Sequence, residues 1–337
     1  MSNRNVLVIG NGFDLYHGLK TNYIDFVRFA KELIDLGGKG TKGRKWAISN
    51  SFIKCFIKVA TENQSWIDCE KEIEVIVTMF SKILFDRSVF DAIPNHIEKN
   101  FTSLKSFEFE RLKLMNKFCE QVSSQTIVFQ KQYFKVYQGI DKELIIETLK
   151  RDLNDLIKLF KYYLEENVIN QSVTQLSKQI ESINPDYVIN FNYTNTYEHY
   201  GINRQDVCYI HGSVQDNNMV LGIRDIDEKD INAIHFKKFF QRIQKHTDII
   251  QWDRFGENQS LTETIREATT YFFVYFLSKT DGDLIRSVYE NSCKMIIFHL
   301  DRHKDYEEKI INLIDSLGKD TVIDGMYSGK IKFEQIK

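Results

Sequence analysis

Asn5 to Ile9 (NVLVI) is a short β-branched run that stops at Gly10-Asn11-Gly12, the pattern of a buried parallel strand meeting a tight turn. Behind it Tyr23, Phe26, Val27, Ala30, Leu33 and Ile34 recur at helical spacing, with Thr21 or Asn22 as N-cap and Gly37-Gly38 as the stop. The opening unit is therefore strand, glycine loop, helix. From about Trp46 to Gln171 strand character is scarce and apolar residues recur every three or four positions, which predicts a helical block. Its clearest member, Glu143 to Glu166, places Ile145, Ile146, Leu149, Leu153, Leu156, Ile157, Phe160 and Leu164 on one broad face. The Phe and Tyr residues of the block have the spacing of a packed stripe rather than of a stacking platform for bases.

Strand runs return at Tyr187 to Tyr193, Val207 to His211 and Met219 to Ile223, with two more at Tyr271 to Phe276 and Met295 to Leu300. Helical spans Asp281 to Glu290 and Asp305 to Leu317 alternate with the later strands. The alternation predicts an α/β fold with a parallel, doubly wound (Rossmann-like) sheet and a large α-helical insertion. Residues 1–40 and 180–337 form the expected core, and 41–179 the expected helical subdomain. There is no internal repeat and no low-complexity segment.

Composition narrows the function classes. The 337 residues suffice for two average domains, or for one α/β domain with an insertion. Lys and Arg (45) nearly balance Asp and Glu (47), leaving a formal charge of -2 and no global basic field to steer the chain onto nucleic acid. The stretch Lys39 to Lys45 (KGTKGRK) is a local exception, and reads as a solvated glycine-rich loop. Five scattered cysteines with no CxxC pair indicate neither a disulfide framework nor a zinc site, and no metal is expected. No apolar run approaches the ~20 residues needed to span a bilayer, and the short polar start runs straight into a strand pattern. The expectation is a cytoplasmic protein without membrane contact.

Three strand ends carry candidate chemistry. Gly10-Asn11-Gly12-Phe13-Asp14 places a glycine-bounded turn at the end of the first strand, where backbone amides approach a phosphate without interference from a Cβ. It departs from GxGxxG, since Leu15 stands where the third glycine belongs, and a ligand-free strand-to-helix turn accounts for it equally well. In Asn190-Phe191-Asn192-Tyr193-Thr194 polar residues alternate with aromatics, so Asn190 and Asn192 share a face and offer carboxamides to a ribose hydroxyl or a water. Asparagines satisfying a neighbouring loop are the plainer alternative. His211-Gly212-Ser213 sets an imidazole beside a glycine, as a general base or as a satisfied structural histidine. On one parallel sheet all three would converge on one edge. His299 and His303 have i,i+4 spacing but lack the glutamate of a zinc-protease helix, and neither a P-loop nor GxSxG occurs.

The segment Val8 to Phe26 (VIGNGFDLYHGLKTNYIDF) closely resembles the signature of bacterial abortive-infection proteins of the AbiH family. Trp66, Asp68 and Glu70, the FNYTNTYE of Phe191 to Glu198, and IHG followed by NNMVLGI are similar to that family's pattern and in its order. The family pattern is in turn similar, more distantly, to sirtuin-like defence domains that bind and cleave NAD. That resemblance implies that Gly10, Asn11 and Gly12 correspond to a glycine-rich phosphate loop, Asn192 to an orienting asparagine and His211 to the catalytic histidine. Phe13, His17, Thr21, Asn190, Tyr193, Thr194, Gly212, Ser213 and Asp281 then become candidate ligand-binding residues, with Asp14, Asn192 and His211 as the catalytic set. The chain departs from the family where a turn of small residues precedes an aspartate: here Val274-Tyr275-Phe276-Leu277-Ser278 stands before a retained Asp281. Bulky side chains thus occupy a position where backbone would approach a ribose.

The resemblance implies an antiphage protein that hydrolyses the nicotinamide-ribose bond of NAD or a related nucleotide, with no resident cofactor required. A nucleotide-sensing module that binds without cleaving is the alternative, and the bulky 274–278 segment favours it. An RNA-directed toxin conflicts with the missing metal-carboxylate pattern and the near-neutral charge. Expected partners are a small nucleotide, an infection-derived trigger and a further copy of the chain.

Overall fold

In the computed structural model the described residues are 4–36, 42–63, 67–85, 99–100, 105–121, 126–135, 139–223, 231–247, 265–275, 277, 281–300 and 303–336. Among them the strands are β1 (Arg4–Ile9), β2 (Lys99–Asn100), β3 (Cys119–Gln121), β4 (Thr126–Phe129), β5 (Phe134–Lys135), β6 (Gly139–Ile140), β7 (Tyr187–Asn190), β8 (Val207–Tyr209), β9 (Ala268–Phe273), β10 (Lys294–His299) and β11 (Ile331–Gln335). Six of them form one sheet in the order β11-β10-β9-β1-β7-β8. Every pairing in it is parallel. Numbered along the chain within the sheet, the order is 3-2-1-4-5-6, that of a doubly wound sheet whose winding reverses between β1 and β9.

Continuous apolar runs make these strands because both sheet faces are covered. Val6 and Val8 of β1 enter one core with Leu284, Ile285 and Val288 of helix Gly282–Asn291 and Leu313 and Leu317 of helix His303–Leu317. Leu7 and Ile9 enter the other, with Phe13 of helix Asn11–Tyr16 and Ile180 and Ile183 of helix Lys178–Ile183. Each fully buried aliphatic chain contributes about 1.5–3 kcal/mol. β1, buried on both sides and paired on both edges, is the spine of the sheet.

The chain divides into two compact units. Met1–Asn22, Leu164–Val220 and Arg242–Lys337 make the first, which contains the parallel sheet. Tyr23–Tyr163 and Leu221–Gln241 make the second. Its helices include Tyr23–Asp35, Ser51–Asn63, Cys69–Phe85 and Ser106–Leu114. There Arg111 grips Glu72 with two bonds of 2.7 and 2.8 Å, a bidentate geometry that suits an ion pair mostly withdrawn from water. Helix Lys142–Asn167 contributes residues to both units.

Several expected elements change. Met219 to Ile223 is no strand: among these residues only Ile223 forms an isolated bridge, with Lys237. The helical block also carries the antiparallel strands β2-β4-β3 and the pair β5-β6. β7 and β8 stop at Asn190 and Tyr209, short of the ends their apolar runs suggest, and β9 stops at Phe273. Helix Lys319–Tyr327 and β11 were not legible as elements. Gly37, Gly38, Lys39, Trp66, Phe276 and Ser278 lie outside the described residues. No described helix is long and apolar enough to cross a membrane.

Candidate functional site

The carboxyl ends of β1, β7 and β8 are neighbours, so the three candidate stretches meet at one edge of the sheet. At β1 the glycine turn leads directly into helix Asn11–Tyr16: Gly10 is extended (φ -146°) and its carbonyl accepts from Phe13 N at 2.7 Å. A Cβ on Gly10 would lie 2.3 Å from Cδ2 of Tyr275, and one on Gly12 would lie 1.9 Å from the carbonyl oxygen of Val274. Glycine is therefore required for the ends of β1 and β9 to approach one another, and in this arrangement neither position is open to a phosphate. Asn11 is half-buried and Phe13 is core.

β7 ends in a polar knot. Asn190 Nδ2 donates to Thr194 O at 3.0 Å, and its Oδ1 accepts from Asn192 N at 2.8 Å, so this side chain closes its own turn. Asn192 Nδ2 donates to Gly10 O at 2.9 Å, tying the β7 turn to the glycine turn. Thr194 Oγ1 donates to Asp14 Oδ2 at 2.6 Å and accepts from Thr196 Oγ1 at 3.3 Å. Asp14 is 1% exposed. Burial raises its carboxyl from 3.8 to about 6, with the Thr194 and Thr196 hydroxyls partly opposing, and Oδ1 lacks a hydrogen-bond partner of ordinary geometry. Tyr193 is anchored elsewhere, donating to Val220 O at 2.7 Å.

His211 follows β8. Its Nε2 is 2.9 Å from Asp281 Oδ1, and Tyr275 Oη donates to Asp281 Oδ2 at 3.1 Å. Phe191 packs against both rings, with centroids 5.5 Å from His211 and 4.8 Å from Tyr275. Lys309, buried and paired with Asp305 at 3.1 Å, donates to Tyr275 O at 3.2 Å. With Asp281 ionised, Nε2-H is the donor, and in the neutral ring Nδ1 carries the lone pair. That is the arrangement of a base oriented by a carboxylate.

The remaining candidates have local duties. Gly212 (φ +72°) is the left-handed corner of a tight turn, where a Cβ would meet Asn218 O at 2.3 Å. In the same turn Ser213 N donates to Asn218 Oδ1 and Ser213 Oγ to Asp216 Oδ2, each at 2.9 Å. His17 Nδ1 donates to Phe13 O at 2.6 Å, leaving Nε2 to accept from Tyr200 Oη at 2.6 Å. Burial lowers its pKa, in keeping with a neutral ring. Thr21 is buried, with its amide donating to Leu19 O. His299 meets Leu300 O, and the exposed His303 pairs with Glu307.

Sequence reasoning names Tyr275 only among the bulky residues before Asp281 and misses Lys309; the structure bonds Tyr275 to Asp281 and Lys309 to Tyr275. Asp305 and Lys309 are legible as an i,i+4 pair, but such pairs ordinarily lie on the surface. The burial of Lys309 follows from its packing against Tyr275, just after β9.

A family model described as bacteriophage abortive infection AbiH matches residues 6–299, a span that includes all three strand ends and Asp281. No curated protein matches the chain, and no solved structure does.

Proposed function

The chain belongs to the bacteriophage abortive infection AbiH family, and from that premise we propose that it acts by hydrolysing the bond between nicotinamide and ribose in NAD or a close nucleotide relative. The observation that carries this reading is the buried His211–Asp281 pair, set at the same sheet edge as Asn192 and the glycine turn. In the reaction the C1′–N bond breaks and nicotinamide departs with the bonding pair. Water then joins C1′ of the oxocarbenium-like sugar, and its proton passes to Nδ1 of His211. Asp281 fixes the ring and stabilises the imidazolium as it forms. Asn192 orients the sugar beside the Gly10 carbonyl it already holds. Asp14, with a carboxyl near 6, serves a ribose hydroxyl as hydrogen-bond partner.

A second reading, in which the crevice senses a nucleotide without cutting it, is favoured by the packing of Val274 and Tyr275 onto the two glycines. Purified protein incubated with NAD and an extract of phage-infected cells distinguishes them by nicotinamide release. Catalysis predicts release by the wild type and a loss of about 100- to 10,000-fold in His211→Ala. Asp281→Asn should fall in the same direction. Wild-type protein that returns NAD intact from infected extract, while calorimetry detects its binding, replaces the enzyme with the sensor.

A further inference from the structure

We propose that Tyr275 is a closing element, which fills the crevice between β1 and β9 and must leave Gly10 before a nucleotide enters; this rests on the reading of the site given above. In a doubly wound sheet the ligand crevice lies at the carboxyl ends of the strands where the winding reverses, here β1 and β9. That is where the Tyr275 ring sits, close enough to Gly10 that one added methyl would lie 2.3 Å from ring carbon. Val274 carbonyl oxygen occupies the corresponding space at Gly12. The protein thus places its own side chain and backbone in the position of a ligand.

The backbone that delivers the ring is strained. Val274 has φ 45° and Leu277 φ 51°, both in the left-handed region, and Val274 is β-branched. Left-handed backbone at such a residue persists only where surrounding contacts enforce it, and it concentrates at clamps and switches. Here the contacts are specific. Asp281 holds the Tyr275 hydroxyl, Lys309 holds its carbonyl and Phe191 flanks its ring. Closure is coupled to the proposed chemistry because Asp281 bonds Tyr275 through Oδ2 while holding His211 through Oδ1. In this closed form the His211 and Asp281 side chains are only 5% and 6% exposed, too little for a substrate to reach the imidazole. Release of Tyr275 opens the crevice and exposes the base in one movement.

Hydrogen exchange on the full-length protein, read by mass spectrometry, tests closure apart from turnover. Tyr275→Ala should exchange about tenfold faster than wild type over residues 10–13 and 211–213, with β10 and β11 unchanged. The same variant should release nicotinamide from NAD without infected extract. Faster exchange with no nicotinamide release supports the closing element and overturns the hydrolytic reading instead. Wild-type exchange in folded Tyr275→Ala overturns the closing element. Gly10→Ala supplies a second route, since its extended backbone accepts alanine and the three atoms nearest the added methyl all belong to the Tyr275 ring. It should accelerate exchange over 211–213, and combining it with Tyr275→Ala should add little further, because the clash is gone. Additive effects, or no acceleration in Gly10→Ala, count against the proposal. Should Tyr275→Ala fail to fold, Tyr275→Phe keeps the ring and drops the bond to Asp281. It should then show an intermediate acceleration, and unchanged exchange in it and in Gly10→Ala overturns the proposal.

Discussion

Asp14 shows how a single buried side chain ties stability to pH. Its carboxyl is buried, held through one oxygen by Thr194, and raised to about 6. Between the ordinary value of 3.8 and about 6 the folded chain keeps a proton that the unfolded chain has released, so stability falls as pH rises through that window. Below it both states are protonated and the cost vanishes; above it the cost is complete, on the order of 3 kcal/mol. Asp14→Asn removes the titration, so its urea midpoint should lose the decline the wild type shows between pH 4 and 6. Equal declines in both proteins would show that Asp14 titrates normally. The sequence marks Asp14 and His211 as polar residues after apolar strands. It does not mark which carboxylate belongs to the imidazole, because Asp281 lies seventy positions further on and meets His211 only through the packing of β9 and its following turn.

At the scale of elements, Asn190 ends β7 by turning its carboxamide onto the chain that follows, bonding Thr194 O and Asn192 N. Asn190→Ala leaves the buried Asn192 amide without its partner, while Thr194 O keeps the Tyr209 hydroxyl at 3.0 Å, and should lower stability by about 1–3 kcal/mol in urea titration. A cost below ~0.5 kcal/mol would mean that the turn holds without it. The sheet strands other than β11 are legible because burial on both faces leaves unbroken apolar runs. Met219 to Ile223 has the same signature without a strand's surroundings. Val220 N donates to His211 O, while the Gln241 carboxamide takes both the N-H and the carbonyl of Leu221 in place of a neighbouring strand. β11 escaped notice for the opposite reason: it lies at the sheet edge, and of its five residues only Ile331 is buried. The two- to four-residue strands of the second unit are too short to set up a period.

For the whole molecule, the near-neutral charge and the all-parallel sheet point in different directions. Charge sets little beyond the absence of a global field for nucleic acid. Topology sets folding speed, because both pairings of β1 join segments far apart in the chain. Register pairs Val6 with Tyr187 and Arg4 with Ala268. Refolding followed by far-ultraviolet circular dichroism should therefore complete on the order of seconds or slower. Completion within milliseconds would contradict a sheet assembled around its first strand. The two-unit division was not announced by any proline- or glycine-rich linker, since helix Lys142–Asn167 contributes to both units without a break.

The central place of β1 has a further cost during synthesis. Val6 to Ile9 leaves the ribosome long before the flanking strands exist, and an uncovered β-branched run of this kind is a template for aggregation. Production of this chain should accordingly depend on holding chaperones bound to the nascent amino-terminal segment until β9 has emerged.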